Sequence, residues 1–244
     1  MLYLKPKKKS AGQAAPDWPI LFDQLAKSIT NPLLQKFYQS GVVPASTTLA
    51  DLPMIALDIE TTGLDPSRDA IVSIGLVPFD LQRIRCREAA YWVLNPGKPL
   101  ASGSVVIHGI THSEIQSGPD LIEVLPDLLS ALAGKVVVVH CRQIERRFLD
   151  AALKERISEG IVFPIIDTME IEVRFQRQGL LQRIAHFFGR SPESIRLAAS
   201  RSRYHLPHYT PHHALTDALA TAELFQAQVA WRFSPQTAVS ELWH

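Results

Sequence analysis

The chain has 244 residues, 46% of them hydrophobic, and a formal net charge of +1. That is enough apolar material for a large core and too much for a disordered chain, while the near-neutral balance excludes a global field that would draw in polyanions, so any nucleic-acid contact must rest on a local patch. The two cysteines, Cys86 and Cys141, stand in no CxxC or zinc spacing, which argues for a reducing compartment, and no run of 18 apolar residues offers a membrane span.

Residues 1–16 are basic and then small and polar, the pattern of a flexible tail, with no apolar stretch behind it to make a secretory signal; the cytoplasm is the expected location. Residues 17–53 form a helical N-terminal extension, with Leu21, Leu25 and Ile29 at four-residue steps and Asn31-Pro32 dividing it into two short helices. It suits packing against the main domain, or a surface for a protein partner. Residues 54–232 carry the main domain, and 233–244 read as a C-terminal tail. Met54 to Leu57 is a short apolar run between Pro53 and Gly63, a buried strand. Ala70–Phe79 and Arg83–Leu94 read as two more strands joined tightly at Asp80-Leu81-Gln82. Pro119–Leu132 predicts a helix, kinked or restarted at Pro126 and stopped by Gly134. Four valines, Val136–Val139, predict a fully buried central strand. A helix over Gln143–Lys154, a strand over Val162–Ile166 and a helix from Asp167-Thr168 through Phe175 follow. Leu180 to Phe188 makes a helical apolar stripe ended by Gly189, Ser191-Pro192 is a helix-start signature, and Ala214 to about Arg232 is the last long helix. A meander of strands followed by alternating strands and helices is an α/β three-layer arrangement with a mixed sheet.

Asp58 and Glu60 lie two apart at the end of the first strand, so they share a face. Two carboxylates so close repel, and a hard cation such as Mg²⁺ removes the conflict; a solvated turn would also accommodate them. His212 and Asp217 open the last helix. The small residues Ala214 and Ala218 turn that face inward, so Asp217 is not simply solvated. A neutral imidazole at His212 suits a general base, although a histidine at a helix start, taken alone, is more often structural. Arg196 to Tyr209 mixes arginines with Tyr204, His205, His208 and Tyr209. It suits single-stranded nucleic acid, or equally a helix with a solvated basic face and two core tyrosines.

Asp58-Ile-Glu60-Thr-Thr-Gly-Leu-Asp65, the block from His140 to Glu145, and His212 with Asp217 five residues on resemble the three motifs of the DEDDh 3′→5′ exonucleases. That group is typified by the proofreading subunit of bacterial DNA polymerase III and by ribonuclease T, and the resemblance runs from Met54 to about Trp231. It implies a ribonuclease H-like three-layer fold with a mixed five-stranded sheet flanked by helices. It also implies two-metal hydrolysis of phosphodiesters from single-stranded DNA or RNA 3′ ends, with 5′-mononucleotides released. By resemblance, Asp58, Glu60, Glu145 and Asp217 hold two Mg²⁺ or Mn²⁺ ions and His212 is the general base. Thr61, Thr62 and Gly63 meet the terminal nucleotide, Leu64 wedges against its base, and Ile107, His108 and Ile144 line it. Many members of the group are homodimers, so pairing of two copies is an expectation of the resemblance alone. The middle motif departs from the family's His-Asn-x-x-Phe-Asp: here it reads His140-Cys141-Arg142-Gln143-Ile144-Glu145, with a glutamate one methylene longer than the aspartate. Glu145 is expected to act as a ligand directly or through a water. The alternative is a nucleic-acid-binding or partner-docking module on an exonuclease fold, with catalysis impaired by that change.

Overall fold

Four apolar residues open β1 (Met54–Thr61), and the other strands assemble around it in the computed structural model, which describes residues 15–97, 109–178 and 193–244. β2 (Ile71–Phe79) pairs antiparallel with β1, and β3 (Ala90–Val93) antiparallel with β2. On the other side, β4 (Val136–Val139) lies parallel to β1 and β5 (Ile165–Asp167) parallel to β4, giving the order β3-β2-β1-β4-β5. The valines of β4 and Met54 to Leu57 are sealed from solvent, as central strands covered on both faces must be. The helices of the described residues are α1 (Trp18–Ser28), α2 (Pro32–Gln39), α3 (His112–Ser117), α4 (Leu121–Leu132), α5 (Arg142–Ile157), α6 (Thr168–Gln178), α7 (Leu197–Arg203) and α8 (Ala214–Arg232). α8 crosses β1 and β2, and α5 packs against β1, β2 and β5. This is an α/β fold with a mixed five-stranded sheet flanked by helices. No helix among the described residues is long and apolar enough to cross a membrane.

The N-terminal extension is docked. Asp17 and Asn31 cap α1 and α2, with Pro19 and Pro32 in the first turns where a missing N–H costs nothing. Trp18, Phe22, Phe37 and Tyr38 enter the main core. The Glu159 carboxylate accepts from the Thr30 and Asn31 amides at 2.8 and 2.7 Å, and the Val162 amide donates to the Tyr38 hydroxyl at 3.0 Å. Residues 233–244 are likewise packed rather than trailing. Leu49 N donates to Thr237 O at 3.0 Å and Val239 N to Thr47 O at 2.9 Å. Trp243 bridges to Ile166, and His244 N donates to Ile165 O at 2.9 Å, so the last residues lie along β5.

Several local expectations need correction: the strand expected over Val162–Ile166 is Ile165–Asp167, and the helix announced by Ser191-Pro192 begins only at Leu197. The strand expected over Arg83–Leu94 is only Ala90–Val93: Asp80 accepts from the Gln82 and Arg83 amides at 2.8 Å each and pairs with Arg85, which curls the polar stretch into a turn before a 3₁₀ segment at Cys86–Glu88. Pro126 does not interrupt α4, because it sits on the exposed side, where water can satisfy the carbonyl it leaves without a donor. α3, unforeseen, is set by a capping box between Thr111 and Glu114. Ile107, His108, the Leu180–Gly189 stripe and residues 1–14 lie outside the described residues.

One buried residue ties three elements together. His140 follows β4; its Nδ1 meets Thr168 Oγ1 at 2.8 Å and its Nε2 meets the Ile195 carbonyl at 2.9 Å. The carbonyl only accepts, so Nε2 carries a proton, while the Thr168 hydroxyl also donates to the Val139 carbonyl at 2.9 Å. It is burial that favours the neutral ring, lowering its pKa to about 4. A group whose pKa falls on folding contributes stability above its unfolded pKa, near 6.5, and loses it as pH drops toward 4. Urea unfolding of the wild type should show this residue's share, about 3 kcal/mol, disappearing across that interval, and His140→Gln should flatten the pH dependence there. An unchanged slope in the variant would contradict a neutral His140.

Candidate active site

Period-two alternation puts Asp58 and Glu60 on one face of β1, and a bulge follows at once: Glu60 pairs with Ser73 but Thr61 with Ile71. The bulge turns the chain into a compact loop. Thr61 Oγ1 donates to Gly63 O at 2.6 Å, Thr62 N donates to Ala70 O at 2.9 Å, and the Asp69 carboxylate accepts from Asp65 N at 2.8 Å. A Cβ on Gly63 would stand 2.4 Å from Asp69 Oδ2, so any larger residue there would push the Asp69 carboxylate out of its place in the loop. Thr61 is buried, and Thr62, Gly63 and Leu64 are half-buried beside Glu60.

The other half of the site depends on how closely α8 approaches the sheet. Gly75 lies in register with Asp58, and a Cβ there would fall 2.4 Å from the backbone carbonyl of Ala214 and from Leu215 N. Its bare backbone lets the first turn of α8 rest directly on β2. That turn carries Asp217. His212, just before it, adopts the left-handed φ of 72° and donates its amide to Asp217 Oδ2 at 2.9 Å. The candidate ligand atoms of Glu60, His212 and Asp217 all lie within 4.8 Å of one another. Desolvation, followed by the charges of Glu60, Asp217 and Glu145, holds the Asp58 carboxyl well above its usual range. Asp217 is raised as well, by burial first, partly offset by the His212 amide. Acids in this state demand a cation or a proton.

Glu145 lies one turn into α5, 3% exposed, and its Oε2 has no hydrogen-bond partner among the described residues. Burial pushes its pKa well up, and the charge of Asp167 adds to this. It stands outside the trio of Glu60, His212 and Asp217, yet its charge reaches Asp58. The start of α5 explains its placement. Cys141 has φ 112° and gives no side-chain cap. Asp167, from the end of β5, takes over, accepting from the Cys141 and Arg142 amides at 3.1 Å each and from Met169 N at 3.0 Å. Ile144 packs against the core. Gly75 and Asp167 are the residues that sequence reasoning missed. The signals were a glycine inside an apolar strand and an acid at a strand end, read only as a cap for α6.

The stretch from Arg196 to Tyr209 is scaffold at its centre. Arg201 is 3% exposed, donating to Ala220 O at 2.7 Å, pairing with Glu223 and lying over the Tyr209 ring at 4.6 Å. Arg203 pairs with buried Glu172, which also accepts from the Tyr204 hydroxyl at 2.8 Å. Two arginines and two tyrosines thus lock α6, α7 and α8 together, the second of the two sequence readings in its core part, although their charges are internally paired rather than solvated.

A mixed sheet with acids converging from one strand end and a helix start defines the ribonuclease H-like class of exonuclease folds. It is shared, at a TM-score of 0.59 and 12% identity over 74% of this chain and 92% of the other, with the nuclease domain of 3′hExo, a DEDDh family member solved with rAMP bound. The chain belongs to the Exonuclease (RNase_T) family, which residues 55–225 match. Among individual proteins it resembles the DNA polymerase III PolC-type of Thermotoga maritima, 27% identical over 85% of this chain but only 15% of that protein. It also resembles the DNA polymerase III subunit epsilon of Treponema pallidum, 27% identical over 72% of this chain and 75% of that one. The chain therefore spans a small part of the PolC-type relatives.

Proposed function

We propose that the chain is a metal-dependent 3′→5′ exonuclease that releases 5′-mononucleotides from single-stranded nucleic-acid ends. The observation that carries this reading is the convergence of Glu60, His212 and Asp217 within 4.8 Å, with Asp58 in the same electrostatic field. The donor set fits hard divalent cations, Mg²⁺ or Mn²⁺: four carboxylates from three elements, one with an unpartnered buried oxygen. Asp58, Glu60, Glu145 and Asp217 would hold them. Two such ions, when bound, lower the pKa of an attacking water and neutralise the departing 3′ oxygen. The remaining work belongs to the chain. His212 takes the water's proton, its turn held by the bond from its amide to Asp217. Thr61, Thr62 and Gly63 form a preshaped edge for the terminal nucleotide and its 3′-hydroxyl, and Leu64 offers the apolar contact for its base; Ile107, His108 and Ile144 complete the lining in this reading. The test is a digestion time course on 5′-labelled single-stranded DNA and RNA of one sequence, with Mg²⁺, Mn²⁺ or chelator. A metal-dependent ladder shortening from the 3′ end is expected, and no digestion of either strand would sink the reading.

A second reading, a binding module without catalysis, is favoured by one observation: Glu145 stands outside the trio. Calorimetric titration with Mn²⁺ separates the two. If Glu145 closes onto a metal, Glu145→Ala should weaken binding by about tenfold or more, on the scale of 1.4 kcal/mol per decade. An unchanged affinity would remove Glu145 from the site.

A further inference from the structure

β3 is the edge strand nearest the start of α8, and one of its side chains makes an unusual contact there. Tyr91 lies in register with Gly75, on whose bare backbone Ala214 is seated. Its ring stacks on that of His213, with centroids 4.6 Å apart and planes 22° apart. His213 is the N-cap residue of α8, yet its side chain makes no capping hydrogen bond. The ring that would ordinarily be replaced by a short capping side chain is held against Tyr91 instead. Its neighbour His212 has φ 72°, a conformation that persists in a non-glycine residue only when its surroundings hold it. Two contacts flank that strained residue: the His212 amide on Asp217, and the His213 ring on Tyr91.

We propose that Tyr91 is a positioning residue: by stacking on His213 it fixes the turn that carries His212 and so sets where the imidazole meets the reacting water. This rests on the reading of His212 as general base. A stacked aromatic pair at the edge of the sheet is well placed for the task. One ring belongs to the strand and the other to the turn, so their contact restricts the turn, while the Tyr91 hydroxyl reaches toward Ser73 and feels the charge of Glu60.

The experiment uses the full chain with Mg²⁺, which is diamagnetic, and a 5′-labelled single-stranded oligonucleotide, comparing wild type, Tyr91→Phe and Tyr91→Ala, with amide hydrogen exchange at His212 followed in parallel by NMR. Tyr91→Ala should lower kcat about 10- to 100-fold, within the range that proton transfer by a placed base contributes, with KM within about twofold. His212 amide exchange should accelerate about tenfold or more. Tyr91→Phe keeps the ring and should restore both. In a His212→Ala background, Tyr91→Ala should cost nothing further. A raised KM with unchanged kcat would mean the ring meets substrate and would overturn the proposal, as would an added loss in the His212→Ala background. The exchange arm does not depend on activity: a wild type that digests nothing ends the catalytic reading, whereas unchanged exchange in Tyr91→Ala overturns the clamp itself.

Discussion

Asp58→Asn is expected to lower metal-dependent digestion by at least about 10³-fold, the scale of losing several kcal/mol of charge stabilisation around the reacting phosphate, and at the same time to raise the melting temperature in chelator. The two effects have one cause. Without a cation, Asp58 ionises against desolvation and against Glu60, Asp217 and Glu145. Its pKa is raised on folding, so its contribution to stability is fully present below the unfolded value, about 4, and is lost as pH rises through the folded value. Asparagine does not ionise. The gap between variant and wild type in chelator should therefore be smallest near pH 4 and widen toward pH 8, where it should reach several degrees, at roughly 2–4 °C per kcal/mol for a chain of this size. Adding Mg²⁺ should reverse the order, because binding to the native state alone stabilises it and the variant binds poorly. Differential scanning calorimetry across pH, with and without metal, reads both. A wild type more stable than Asp58→Asn in chelator at pH 8 would show that these acids are not in conflict.

Gly75→Ala should be the most damaging single methyl group that can be added near the site. The new Cβ meets the Ala214 carbonyl and Leu215 N, all backbone, so trimming a side chain does not relieve the clash. Either β2 or the first turn of α8 must move. Overpacking of this kind costs about 1–3 kcal/mol, so a melting temperature lower by roughly 3–10 °C is expected. The loss of activity should exceed what the melt accounts for. Asp217 and His212 ride on the displaced turn, and an error of about 1 Å at a reacting centre costs about 100-fold. The assay must be run well below the variant's melting temperature, so that the folded enzyme is what is measured. A variant that melts lower but keeps wild-type kcat would mean that the turn accommodates the methyl without moving the acids.

Much of this arrangement was legible in the residues, because it is written in local patterns. The four valines of β4 could only be a buried strand, alternation put Asp58 and Glu60 on one face, and the small residues of α8 announced an inward side. What was not legible is non-local. That Gly75 admits Ala214 depends on the register between β1 and β2 and on a contact some 140 positions away. Asp167 could be read as a cap for α6, but its service to the start of α5 follows only from the pairing of β4 with β5. Arg201 and Tyr209 carry the residue types of a nucleic-acid surface, and only the position of Glu223 on α8 turns them inward. The exact standing of Glu145 depends on a backbone conformation at Cys141 that no side-chain pattern encodes.

The crossing of residues 45–50 with 235–240, and the lie of Trp243 along β5, have a practical consequence for handling the molecule. A version trimmed to the family-matching span, 55–225, would keep the acids and His212 but uncover the backbone edge of β5 and the apolar faces that Trp18, Phe22 and Trp243 now close. An exposed, unguarded strand edge is a template for another chain. Such a fragment should precipitate or form sheet-paired oligomers during purification, and the failure would say nothing about catalysis.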